Sequence, residues 1–523
     1  MTGVAMGDGG ADEVLVVGAG PVGLTAACQL ARLGVRPRVV ETLAIPTTES
    51  RAVAVQARNM EMLAALGVLD RLEERGRRIP GLEISDGRTG RTHARMEFGE
   101  IPSRHPYMLD LPQPDTEAAL AERAVELGVV VERGVTLTTL TQDDDGVDVT
   151  LRSASGAERT ARFGWVVGAD GGHSTVRAQV GTTLHGSFVG QHFAMADVDV
   201  ETTLSLDTIR MFTHPDGPGM LFPMAGTRAR VLFQVAEPGD GDPTLAQIQA
   251  LAEARMGGAV NCSDPRWLTY FEIHHAQIPR YRFGRVLLGG DAAHVHSPAG
   301  AQGMNTGMQD AANLAWKLAL VARGRADAAL LDTYHDERHP VGADVVRQTT
   351  TLTNIGTATG AEAVVRNLAF FVVGHVRRIG EAAATKTAEL TVAYPHSSLS
   401  VQHGRGVRAG DHAPDPAGTS VAVEQLLARP GFTLLVFGPA DLDRLAATLG
   451  ELGTVVPVVT EADRGVGVVD ADGVLAHAYG LGSGGLALIR PDGYLGLVAD
   501  SADDRLLHHY LQVNLHVGSR ATA

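Results

Sequence analysis

Lysine is nearly absent from this chain. It stands at Lys317 and Lys386 only, and arginine supplies the other Lys/Arg positions. With the surplus of Ala, Gly and Val, this reads as a GC-rich coding bias and not as a functional signal. Cysteine is equally scarce: Cys28 and Cys262 can build neither a disulfide framework nor a thiolate zinc site. No stretch reaches the roughly 18 consecutive apolar residues of a membrane-spanning helix. The Gly- and Asp-rich N-terminus has no basic n-region and no apolar core ahead of Glu13, so no secretory leader is expected and the reading is cytoplasmic. Positive charge is in deficit as well. A net charge of −16 argues against nucleic acid or an anionic membrane as a partner.

What is present is the composition of a soluble globular protein, 44% apolar and 20% charged. A chain of 523 residues implies about two to four domains. Near its start, EVLVV (13–17) is a short unbroken apolar run of the kind buried on both faces of a parallel sheet. GAGPVG (18–23) follows at once, then a helical stretch ending at Gly34, then a second strand, PRVVE, ending in Glu41. That order is the complete dinucleotide fingerprint. Gly18 permits the tight turn, Gly20 lets a diphosphate approach the backbone, and Gly23 lets the helix pack closely. First-turn N–H groups and the positive end of the helix dipole hold the diphosphate. Glu41 is placed to accept hydrogen bonds from a ribose, and its charge would repel a 2′-phosphate, which favours FAD or NAD over NADP. A second formal match, GLGSGG (480–485), leads into an apolar strand and opens no helix, so it reads as a turn.

Two further glycine-rich segments lie downstream. FGWVVGADGGHSTVR (163–177) reads as strand, turn and helix, with Asp170 at the carboxyl end of the strand, where ligands of open α/β sheets collect. The plain alternative for Asp170 is a helix cap. RVLLGGD (285–291) is another buried strand, ending in Asp291. Asp291, His294 and His296 fall close together and suggest a metal cluster. They sit, however, on a connection between a strand and a helix, without further ligands nearby, and no metal is expected.

Taken in order and spacing, these three segments, together with GDAAHVHSPAGAQGMNTGMQDAANLAWKL (290–318) and DTYHDERHP (332–340), resemble the class A FAD-dependent aromatic hydroxylases, the 4-hydroxybenzoate hydroxylase-like flavoproteins. SPAGAQGMNTG is most similar to the branch of aromatic polyketide hydroxylases, rifampicin monooxygenases and larger phenol hydroxylases. The resemblance covers about the first 340 residues. It implies an α/β fold: a Rossmann-like FAD-binding domain over 12–185 and 285–395, an inserted β-sheet substrate domain over 186–284, and a thioredoxin-like C-terminal domain over 404–523. After Cys262 there is no cysteine, so that last domain has no C-x-x-C and reads as structural.

Residue by residue, the resemblance implies that Gly18, Gly20, Val22, Gly23 and Glu41 hold the ADP half of FAD. Arg51 would meet the flavin side of the cofactor, Gln113 the ribityl–phosphate region, and Asp291 the ribityl chain or pyrophosphate. Asp170 would lie where the FAD and nicotinamide surfaces join; beside it, His173 replaces the family's usual arginine. Gly300, Gly303, Met304 and Asn305 open a long helix, and a helix N-terminus beside the flavin N1–C2 carbonyl would stabilise the anionic reduced ring. Pro298 matches a proline whose carbonyl faces the reactive flavin edge and the substrate.

The implied reaction takes a hydride from NADPH or NADH and oxygen from O2, and hydroxylates a bulky aromatic substrate through a C4a-hydroperoxyflavin, the cofactor doing the chemistry. Met211, Phe222, Pro223 and Phe233, on alternating strand-like segments, are candidate pocket walls, with ordinary sheet core as the alternative. Baeyer–Villiger insertion beside a ketone and a non-catalytic flavin- or aromatic-binding protein are the competing readings. Partners are small molecules, in a monomer or homodimer. Residues 361–381 read as an amphipathic helix, 403–418 as a linker, and Arg490 to Gly493 as a tight hairpin turn.

Overall fold

A computed structural model of the protein describes residues 14–296, 302–357, 376–460, 467–482 and 484–517. The apolar runs found in the sequence become the centre of a six-stranded sheet. Its order is Arg282–Phe283, Val286–Leu288, Trp165–Gly168, Val14–Val17, Pro37–Glu41 and Val131–Arg133. All neighbours are parallel except the first pair. Val14, Leu15 and Val16 are fully buried, as a central parallel strand requires. Helices Pro21–Arg32 and Gly303–Ala322 pack on this sheet and on each other. Their close approach depends on small residues: a β-carbon on Gly307 would stand 2.7 Å from a Val22 methyl, and one on Gly290 2.8 Å.

An eight-stranded sheet forms the second layer. Its order is His294–Val295, Val260–Gln277, His185–Thr202, Arg228–Val235, Gly219–Pro223, Ile209–Thr213, Gly81–Asp86 and Thr92–Glu97. The sheet is therefore wider than the 186–284 insertion read from sequence. The hairpin 81–97 adds itself to the edge by parallel pairing of Ile209 with Leu82 through Thr213 with Asp86. Side chains alternate between two faces of this sheet. One face carries Leu221, Phe233 and Ala229 under helix Leu245–Arg255, forming a closed core with Ile248 and Ala252. The other presents Met211, Met220 and Leu232 in one cross-strand row, and Phe222 and Arg230 in the next. This second face meets the segment that follows strand Pro37–Glu41, because Phe222 packs with Val53, Ala54 and Met224.

Two of the four expected pocket residues are thereby corrected. Phe233 is fully buried beneath the helix, and Pro223, paired with Ala229, shares that face. Adjacent residues of a strand point opposite ways, so Phe222 and Pro223 cannot both line one pocket. Phe233→Ala is expected to cost about 3–5 kcal/mol of stability by opening a cavity, whereas Phe222→Ala should leave the urea midpoint nearly unchanged and raise the KM for substrate. Chemical denaturation and steady-state kinetics on the two variants check this.

The tail forms its own mixed six-stranded sheet: Val401–His403, Leu495–Ala499, Gly485–Ile489, Phe432–Phe437, Gly453–Val459 and Val468–Val469. The Arg490–Gly493 turn is present, with Gly493 at φ +82 and its N–H donating to the Arg490 carbonyl at 2.9 Å. The GLGSGG segment is also a turn: Gly480 caps helix Val474–Tyr479 in the left-handed region, and strand Gly485–Ile489 follows. Helices Asp332–Thr357 and Arg377–Thr387 follow helix Gly303–Ala322, while most of the amphipathic stretch 361–381 lies outside the described residues.

Candidate functional site

The glycine loop follows strand Val14–Val17. Gly18 has φ +103, and a β-carbon there would stand 2.3 Å from the Ala169 carbonyl oxygen; one on Gly23 would stand 2.0 Å from the Gly18 carbonyl oxygen. Both positions must be glycine for the loop to close on the neighbouring strand and helix. Gly20 is different. A β-carbon there would have nothing within 4 Å, so the space beside it is open. Pro21 opens the helix without an N–H to waste, leaving those of Val22 and Gly23 as first-turn donors. Beside the loop lies a cavity of about 390 Å³, bordered by Gly18, Gly20, Glu41, Asp170 and His173. The Glu41 carboxylate accepts from the Ala19 N–H and the Leu43 N–H, both at 2.8 Å, which fixes it at the cavity wall.

Asp170 is not the cap of the helix that follows it, Ser174 being the N-cap, but it braces that helix from outside. Its carboxylate accepts from the Ser174 hydroxyl at 2.5 Å and the Val176 N–H at 3.0 Å, bracing helix Thr175–Gln179, and it also borders the cavity. Burial pushes its pKa up against these hydrogen bonds.

Farther along, Gln113 organises the arm that carries Arg51. Its side-chain oxygen accepts from the Ala52 N–H at 3.1 Å, its backbone N–H donates to Ser50 Oγ at 3.0 Å, and its amide donates to Glu117 at 2.8 Å. Glu117, which no motif singled out, is buried there beside Arg51 and Glu41; burial raises its pKa. From the opposite layer, Arg230 grips Asp197 at 2.7 and 2.9 Å and donates to the Ser50 and Arg51 carbonyls. The sequence signal for this pair is an arginine and an aspartate set inside apolar strands, which alone does not show that the two meet. Arg51 itself is exposed, 3.3 Å from Glu49. Asp291 is exposed on the turn after strand Val286–Leu288. Desolvation raises its pKa, and the charges of His294 and Arg51 oppose the rise.

Helix Gly303–Ala322 presents the N–H groups of its first turn, which have no intrahelical partner. The Asn305 side chain is not free for a ligand: it accepts from Gln56 N–H at 2.9 Å and Asn59 at 2.7 Å, and donates to the Ala54 carbonyl at 2.9 Å. Asn305 and Met304 can therefore serve a cofactor through their backbone, Met304 packing its side chain against the core. Val22 is likewise a wedge between Gly290 and Gly307. Pro298 and Gly300 lie outside the described residues. The His294 Nε2 sits 2.7 Å from Asp310, which also accepts from the Gly290 N–H at 3.1 Å and from Arg338 at 2.7 Å. No three His, Cys, Asp or Glu side chains among the described residues are grouped to hold a metal.

A glycine loop on a helix N-terminus and an acid at the end of the next strand, both bordering one cavity, define a dinucleotide-binding flavoprotein. The chain belongs to the FAD binding domain family, whose model matches residues 12–349. It is 37% identical to a 6-methylpretetramide 4-monooxygenase of Streptomyces rimosus over 98% of this chain and 95% of that protein. With a rifampicin monooxygenase of Streptomyces venezuelae it shares 38% identity over 69% of this chain and 75% of the relative. Among solved structures, an anhydrotetracycline hydroxylase from Streptomyces rimosus superposes with a TM-score of 0.76 at 32% identity, covering 93% of this chain and 95% of that one. An aklavinone-11 hydroxylase in complex with FAD and aklavinone gives 0.79 at 26% identity, covering 98% and 100%. The protein is a flavin-dependent monooxygenase. Among the described residues no helix is long and apolar enough to cross a membrane.

Proposed function

We propose that this enzyme hydroxylates a bulky, fused-ring aromatic compound of the polyketide type, with NAD(P)H as reductant. The observation that carries this reading is the apolar second face of the eight-stranded sheet. Met211, Met220, Phe222 and Leu232 form a broad, methionine-rich wall, with Phe222 packed against Val53 and Ala54 and Arg230 beside it. Such a wall suits a large flat ligand, with orientation left to a few polar groups. The names of the relatives, several of them hydroxylases of tetracyclines and similar compounds, support the same class.

In this reading the residues present fit FAD. The open space beside Gly20 takes the diphosphate, and Glu41 takes the adenosine ribose. Arg51, Gln113 and Asp291 would serve the flavin side of the cofactor, and the backbone of Gly303 to Asn305 would hold its ring. When bound, FAD supplies hydride acceptance and oxygen activation. The chain's own residues orient and enclose. Gln113 and the Arg230–Asp197 pair fix the arm that places Arg51, and the sheet face excludes water from the substrate.

Purified protein should be yellow with one FAD per chain, and NAD(P)H oxidation should accelerate with a polycyclic phenol. The product, by NMR, should carry a new aromatic hydroxyl. A ring-expanded lactone would overturn hydroxylation in favour of oxygen insertion, and failure of every aromatic compound to speed flavin reduction would count against the substrate class.

A further inference from the structure

Three non-glycine residues among those described have positive φ, and one of them, Glu389 at φ +60, is also buried. It follows helix Arg377–Thr387 at the position where the chain turns left-handed. The Glu389 N–H donates to Lys386 and the Leu390 N–H to Thr385, at 3.1 and 3.2 Å. Glycine is the least costly residue at such a helix exit. A glutamate there bears backbone strain and a desolvated carboxyl at once, and two costs at one residue mark a functional candidate.

The carboxyl is directed at the flavin helix. It accepts from the Gln309 amide at 2.5 Å and faces the Thr306 hydroxyl at 3.4 Å. Thr306 is three residues into Gly303–Ala322, about 4.5 Å along the axis from its first residue. The other charged groups that face Glu389 are Asp310, on the same helix, and Arg338, from helix Asp332–Thr357. Those two neutralise each other at 2.7 Å, with His294 also on Asp310. On helix Ala57–Leu66 the Arg58 N–H donates to the Ala388 carbonyl, and the Arg58 guanidinium is turned to Glu61 and Asp492. Arg338 is thus engaged mainly by Asp310, and among the described residues no cation forms an ion pair with Glu389. Burial pushes its carboxyl up to about 8, Arg338 and the two hydrogen bonds only partly opposing.

We propose that Glu389 is the proton-exchanging group that sets how reduction of the bound FAD depends on pH, gaining a proton as the cofactor becomes an anion. This rests on the assignment of the helix N-terminus to the flavin ring. A second negative charge beside that helix end would oppose the anionic reduced ring, so reduction and protonation of Glu389 favour each other. In the window where Glu389 titrates, reduction consumes two electrons and two protons, one proton on the flavin and one on the carboxylate. Outside it, two electrons and one proton suffice.

The test is the midpoint potential of the bound FAD from pH 6 to 10, in wild type, Glu389→Gln and Glu389→Gly. Wild type should show a steeper segment above pH 8, one extra tenfold in the reduction equilibrium per pH unit, or about 30 mV for a two-electron couple. Both variants should lose that segment, and Glu389→Gly, relieved of strain, should also melt higher than wild type. Identical slopes in wild type and Glu389→Gln overturn the proposal, as does loss of FAD from both variants while wild type retains it. Wild type that binds no FAD would instead refute the cofactor reading beneath it.

Discussion

Gly20→Val should fold normally and purify colourless. A β-carbon at Gly20 meets nothing within 4 Å, so the apoprotein has room for the side chain. That room is where the diphosphate belongs. Filling it forces the diphosphate away from the first-turn N–H groups, each charge-assisted hydrogen bond being worth about 1.5–3 kcal/mol. Losing one or two of them, with the steric cost, weakens FAD binding by roughly 10²- to 10³-fold. Gly23→Val should behave in the opposite way. Its β-carbon would stand 2.0 Å from the Gly18 carbonyl oxygen, a backbone atom that cannot swing aside. The helix would have to lift off the loop, at a cost above about 4 kcal/mol, out of a total stability of about 5–15 kcal/mol. Thermal melts of the two apoproteins and FAD titration by fluorescence quenching separate the cases. Equal melting losses in both variants, or full FAD retention by Gly20→Val, would refute the diphosphate assignment.

That contrast also shows where the sequence was informative. The fingerprint is local: strand, glycines, helix and acid lie within about thirty residues, and each part carries its own chemical reason. The Arg490–Gly493 turn was legible for the same reason. The face on which Phe233 and Pro223 lie was not, because it depends on register with partner strands, and one residue of offset inverts every side chain. The edge hairpin 81–97 escaped notice because its pairing with Ile209–Thr213 joins segments far apart in the chain. Asn305 was read as a cofactor residue from its place in a motif, and the motif is silent on what its amide bonds to. Composition marks Lys317 only as one of two lysines, and nothing local shows that it is buried against Glu337.

The partners of Lys317 predict the second large effect. Lys317, Glu337, Arg490 and Asp492 are buried together, two cations against two anions, where the tail meets the flavin unit. Arg490 donates to both Glu337 oxygens at 2.7 and 2.8 Å and to Asp492 at 3.0 and 2.5 Å, with Lys317 2.7 Å from Glu337. Asp492 in turn accepts from Asn313 and Trp316, both at 3.1 Å, and its carbonyl accepts from Arg58 at 2.5 Å. One hairpin turn of the tail thus ties helices Ala57–Leu66 and Gly303–Ala322 together. Arg490→Met leaves two carboxylates with one ammonium in a buried site, and should cost about 3–5 kcal/mol. Removing the charges together, in Lys317→Met, Glu337→Leu, Arg490→Met and Asp492→Asn, should recover most of that loss, because the price of burying ions disappears with them. Burial opposes ionisation of Glu337, but Arg490 and Lys317 outweigh it and hold the carboxyl well below its usual range. The sign follows from linkage: with the folded pKa depressed, the contribution is complete above about pH 4.5 and is lost as pH falls below it. Wild type should therefore lose stability between pH 5 and 3 more steeply than the quadruple variant, in urea midpoints measured at each pH. Parallel curves, or an Arg490→Met variant within about 1 kcal/mol of wild type, would show that the hairpin is held by packing alone.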